Sequence, residues 1–197
     1  QAKGVQMTTA QLTDKVISEL SAAAAELAKY DPIVTGVSYD DMSLLGASPI
    51  DRVWKLNYYG CLAAEARARM SRGTAEDFGK AYGLLTKIID EGGYAFVRTV
   101  SGTDYEFSAE FIFALPSPET GFCALSEELF TPVPDGKGVT LSPRLDIDDL
   151  HADDRRRNWF DTDNTMRTKF APTSKIDKWK TTPAIPVIKI GEVYLMA

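Results

Sequence analysis

Between Leu56 and Ile89 the apolar residues return every three or four positions: Leu56, Tyr59, Ala63, Ala66 and Met70, then Phe78, Ala81, Leu85 and Ile88 or Ile89. Steps of that size place each set along one stripe of a 3.6-residue helix, so the stretch Asn57–Tyr94 predicts two amphipathic helices. Glu76, Asp77, Lys80, Lys87 and Asp90 fall on the wet side of the second helix. Arg72-Gly73-Thr74 lies between them, with a glycine to end the first helix and a threonine to cap the second. The pair therefore predicts a helical hairpin. Gly60, Ala63, Ala64, Ala66 and Ala68 on one side and Gly79, Ala81 and Gly83 on the other predict a close backbone approach. A glycine inside a helix costs roughly 1 kcal/mol relative to alanine, and a packing reason is expected for it.

Such small-residue crossings are similar to those of tetratricopeptide (TPR) repeats. Aligning Gly73 with the turn glycine of that repeat puts Ala66 and Ala81 at its two small positions, with three extra residues in the turn and without its Trp-Leu-Gly signature.

Upstream, Thr8 or Thr9 is placed to cap a helix running to Tyr30, with Leu12, Val16, Leu20, Ala23, Leu27 and Tyr30 on one face and Asp31-Pro32 ending it. Residues 1–8 read as a lead-in. Pro32–Ile50 has loop composition, with Val37, Tyr39, Met42, Leu44 and Leu45 to lie against a core. After Gly92-Gly93 the pattern changes. Tyr94–Val97 and Glu110–Leu115 are β-branched and aromatic runs of strand length, which predict short strands or extended segments. Pro116–Asp149 is rich in proline and glycine, and Lys169–Pro183 is polar; both predict loops. Asp146–Phe160, DIDDLHADDRRRNWF, predicts a short helix and a turn held by ion pairs among Asp153, Asp154 and Arg155–Arg157, anchored by Trp159 and Phe160. From Ile185 the chain reads as extended and turns helical near Lys189. No C-cap signal follows, which suggests a piece of a longer protein. The expected fold class is mainly α, with long loops and a few short strands. A single domain over 1–197 is expected, with a helical core at about 9–94 and 185–197 and a loop-rich region at about 95–184.

The 197 residues are 44% apolar and 25% charged, an ordinary globular mixture. A net charge of −6 disfavours a phosphate backbone as partner, so no nucleic acid is expected. No apolar run reaches the roughly 18–20 residues of a membrane span. Cys61 and Cys123 are the only cysteines; free thiols are the simpler reading and a disulfide stays open.

Metal and catalytic motifs are scarce. Asp146, Asp148, Asp149 and Asp153, or Asp161, Asp163 and Asn164, alternate oxygens as calcium loops do, but lack the turn glycine and closing glutamate of an EF-hand. His151 is the only histidine, so neither a His-based zinc site nor a serine triad is expected. No phosphate cradle is present; Asp135–Gly138 reads as a turn. The carboxylates Glu127-Glu128, or Glu106 with Glu110, could in principle serve a glycoside hydrolase. No metal or other cofactor and no catalytic residue is expected. Trp54, Tyr58 and Tyr59 read as packing. Trp179 and Tyr105 sit in polar loops that no apolar stripe claims, and a loop aromatic can stack on the apolar face of a sugar. The plainer alternative for each is a loop anchor.

Taken together, several segments resemble the SusD/RagB family of outer-membrane nutrient-binding lipoproteins. They are Asn57–Arg69 with Gly73, Lys80-Ala81 through Ile88-Ile89 and Gly93-Tyr94, Glu110–Phe113 (EFIF), Asp153–Arg156 before Trp159-Phe160, and Ile185–Lys189 with Glu192–Leu195 (EVYL). The DDPRR turn of the family lacks its proline here, and Gly191 stands for the usual alanine. The resemblance implies a helical fold scaffolded by TPR-like hairpins, with a lipid anchor outside the outer membrane of a Gram-negative bacterium. It also implies non-catalytic capture of glycans, or sometimes peptides, for a SusC-like TonB-dependent transporter. The family's lipid-bearing cysteine and its later C-terminal helices have no counterpart in these residues. The ligand-site candidates, Trp179 and Tyr105, come from their own setting and not from a family motif. A TPR-type module binding a protein or peptide is the first alternative function, and a glycoside hydrolase the second.

Overall fold

The structure, a computed structural model, describes residues 6–36, 51–98, 107–116, 154, 157 and 184–197. These are mainly helical. In chain order they form α1 (Thr9–Tyr30), the single turn α2 (Pro32–Thr35), a 3-10 turn (Asp51–Trp54), α3 (Tyr58–Arg72), α4 (Ala75–Glu91), a 3-10 turn (Ser108–Glu110), β1 (Phe111–Pro116), β2 (Ala184–Lys189) and α5 (Ile190–Met196).

Each helix starts where its cap dictates. Thr8 and Gln11 close a capping box on α1, with Gln11 N 3.2 Å from Thr8 Oγ1 and Thr8 N 2.9 Å from Gln11 Oε1. Asp31 ends α1 and, with proline at the first helical position, starts α2. Asn57 caps α3 through Gly60 N at 2.8 Å. Leu56, assigned from the periodicity to the stripe of that helix, lies before the cap and is exposed. Gly73 ends α3 with φ 77°, a left-handed backbone that glycine adopts without a Cβ clash. Thr74 then caps α4 through Asp77 N at 3.1 Å.

The chain divides into two compact units. The first comprises Gln1–Ala95, Glu110–Ala114 and Pro186–Ala197; the second comprises Phe96–Ala109 and Leu115–Ile185. In the first, α1 packs on α3, α3 on α4 and α4 on α5, so that α3 is the central helix. Its Cys61, Ala63 and Ala66 are fully buried, and Ala81, Leu85 and Ile88 of α4 meet the same core. The expected hairpin forms with Ala66 and Ala81 inside it. Strand β1 pairs with β2. Ile112, Ile188, Ile190 and Val193 bring both strands and α5 into the core. Burying each of these side chains contributes about 1.5–3 kcal/mol. Residues 93–98 form no strand; Tyr94 instead packs edge-on against Tyr59, with centroids 5.9 Å apart.

Five details of the helical pattern differ from expectation. Phe78 is half exposed, because α4 turns its Asp77, Ala81, Leu85 and Ile88 face inward and leaves Phe78 and Tyr82 on the flank. Asp77, assigned to the wet side, is buried. Gly79 and Gly83 do not make the helix crossing: a Cβ on either would meet nothing within 4 Å. Gly60 does have close neighbours, but not at the helix crossing: an added Cβ would lie 3.2 Å from Leu56 Cδ1, 3.4 Å from Asn57 Oδ1 and 3.5 Å from Phe113 Cβ of β1. On α1, Leu12 and Tyr30 are likewise exposed, while Ile17 and Ala24 are buried.

In the second unit the described residues include Phe107, which is buried with a left-handed φ of 59°. A backbone turn is closed by Arg157 N on Asp154 O at 3.0 Å. The ion pairs, helix and aromatic anchors expected for Asp146–Phe160 otherwise lie outside the described residues, as do the loops expected at Pro116–Asp149 and Lys169–Pro183 beyond Pro116.

Candidate functional site

Trp179 and Tyr105, the two candidate ligand-stacking residues, lie outside the described residues. So do Cys123, His151, both calcium-like acidic runs, and Glu106 and Glu127-Glu128. Of the candidate carboxylates only Glu110 is described. It is buried, with Lys189 Nζ 3.7 Å from its Oε2. Apart from Glu110, then, the sequence-chosen site residues are not among the described residues. The described residues hold three polar clusters in the helical unit, together with a group of tyrosines.

The first cluster joins the end of α1 to the start of α3. Asp31 is fully buried and its carboxylate is shared: Oδ1 accepts from Ile33 N (3.1 Å) and Arg52 Nε (2.9 Å), Oδ2 from Arg52 Nη2 (3.1 Å) and Tyr58 N (2.9 Å). Arg52, itself 2% exposed, also donates to Leu56 O at 3.3 Å. Asn57 completes the set. Its Nδ2 donates to Arg52 O (3.2 Å) and to Ile112 O on β1 (2.7 Å), while its Oδ1 caps α3. A charge pair with this burial is tolerable only because the guanidinium and carboxylate meet side by side and their remaining valences are used.

The second cluster sits at the turn between α3 and α4. Arg69 donates twice to Glu65 Oε1, at 2.8 and 2.6 Å, and reaches Asp77 Oδ1 at 3.4 Å. Arg72 donates from Nε to Asp77 Oδ2 at 2.7 Å and from Nη1 to Asp14 of α1 at 2.5 Å. Thr74 Oγ1 adds a hydrogen bond to Asp77 Oδ2 at 2.6 Å. The Arg72 guanidinium, then Thr74, hold the Asp77 carboxyl well below the usual carboxylate range. Asp77 and then Asp14 raise Arg72 in return.

The third cluster is a clasp. Arg67 forms a two-pronged pair with Glu192 of α5 and donates from Nη2 to Val187 O of β2 at 2.7 Å. It ties the C-terminal strand and helix to the outer side of α3.

Around the first cluster, Tyr58 and Tyr59 pack edge-on at 5.0 Å, and Lys87 Nζ stands 5.8 Å from the Tyr58 ring centroid. Tyr59 Oη donates to Glu91 O at 3.0 Å. Burial, and then the Glu91 charge, raise the Tyr59 hydroxyl above its ordinary value, and burial raises that of Tyr94. Tyr94 Oη is buried without a hydrogen-bond partner among the described residues. Cys61 is a free thiol in this core, and burial pushes it up to about 11. At neutral pH it is protonated and unsuited to nucleophilic work.

Chemically, these arrangements hold elements together. Asp31, Glu65, Asp77 and Glu192 are each neutralised by an arginine. Among the described residues no group of three or more His, Cys, Asp or Glu could hold a metal ion, and no helix is long and apolar enough to cross a membrane. These clusters are not legible in the sequence, although two members of the first carry a signal. Asp31 before Pro32 and Asn57 before a helical stripe are N-cap patterns. The partners Arg52, Ile112 and Glu192 carry no such mark. Comparisons of the chain with family models, with curated proteins and with solved structures return no match.

Proposed function

We propose that the protein is a SusD-like, non-catalytic binding protein that captures oligo- or polysaccharides on the outer face of the outer membrane, where a lipid tethers it, and delivers them to a SusC-like TonB-dependent transporter. One observation supports this reading above the others: the described segments of the helical unit that carry the family resemblance are far apart in the chain yet converge. The EFIF strand β1 pairs with the IPVIK strand β2. Asn57, at the head of the central helix, holds Ile112 O of β1, and Arg67 of the same helix grips Glu192 of EVYL and Val187 O.

The helical unit acts as scaffold in this reading, and the loop aromatics Trp179 and Tyr105 stack on sugar rings. The test is calorimetry against a panel of plant, starch-like and host polysaccharides and peptides, with Trp179→Ala and Tyr105→Ala beside the parent. The expected result is saturable binding of one glycan, no release of reducing sugar, and loss of affinity in at least one variant. Folded protein that binds no glycan overturns the reading. Peptide binding alone would favour the TPR-type interaction module, and released reducing sugar a glycoside hydrolase.

A further inference from the structure

We draw no further inference here: the strongest candidate, the outward face of α4 where Gly79 and Gly83 stand open beside the exposed rings of Phe78 and Tyr82, is an unpartnered small-residue and apolar face, and nothing in the structure shows what covers it.

Discussion

Asp31→Ala isolates the buried charge pair. The substitution removes the carboxylate that accepts from Ile33 N, Tyr58 N and two guanidinium nitrogens of Arg52, and it leaves the arginine side chain, 3% exposed, among buried neighbours. Deleting one partner of such a pair costs about 3–5 kcal/mol, because the surviving charge stays desolvated without compensation. That is a large share of the roughly 5–15 kcal/mol that stabilises a domain. For a chain of this size it corresponds to a fall in melting temperature of about 6–20 °C. The control is Lys15→Ala, which breaks a pair 3.7 Å long with both side chains more than half exposed, and is expected to cost less than about 1 kcal/mol. Urea unfolding followed by far-UV circular dichroism reads the helical unit that contains both sites. A further variant, Asp31→Leu with Arg52→Met, removes the orphaned charge, and is expected to be more stable than Asp31→Ala alone. If Asp31→Ala were no worse than Lys15→Ala, or the double variant were as unstable as the sum of its single changes, the cluster would not be the fastening described.

Three other outcomes can be checked in the same way. Gly79→Ala and Gly83→Ala should each raise stability by about 0.5–1 kcal/mol, since the added Cβ meets open space and alanine is the better helix former; Gly92→Ala should lower it, because its Cβ would fall 2.5 Å from Ile88 O and 2.8 Å from Tyr94. The depressed Asp77 carboxyl contributes stability that is fully present above the ordinary carboxylate value and is lost as pH falls below about 4. The urea midpoint of the parent should therefore exceed that of Asp77→Asn by a constant margin from pH 5 to 8, and the margin should shrink on further acidification; a margin unchanged to pH 2 would refute the pairing. The Cys61 thiol, pushed up to about 11, should react slowly with iodoacetamide at pH 8 in folded protein and rapidly in denaturant, as peptide mapping of the alkylated residue would show.

Local signals in the sequence predicted the local structure well. Thr8, Gly73 and Thr74 punctuate the helices where a capping rule puts them, because a cap is satisfied by atoms three or four residues away. The change from strand to helix at the C-terminal end is found at Lys189–Ile190, next to the expected position. Small residues were harder to read. Ala66, Ala81, Gly79 and Gly83 look alike as letters, but α4 is rotated so that only Ala81 of the three on that helix faces α3, and a periodic pattern this broad does not define the rotation to within one residue. Phe78 falls on the flank for the same reason, whereas Leu56 leaves the stripe because α3 begins only after its Asn57 cap. The candidate ligand residues Trp179 and Tyr105 rest on their loop setting in the sequence, and both lie outside the described residues.

By itself, then, the sequence determined the mainly helical character, the α3–α4 hairpin and the caps that bound it, all of which depend on interactions within a few residues along the chain. Tertiary structure decided which charges are buried and with whom. Asp31 meets Arg52 across 21 positions, Asn57 meets Ile112 across 55 and Arg67 meets Glu192 across 125. An acid or an arginine reads as a solvated surface residue until folding brings a partner to it. At the buried Asp31–Arg52 pair desolvation then makes the partner obligatory, and the energy of the pair depends on a geometry that exists only after the helices have packed.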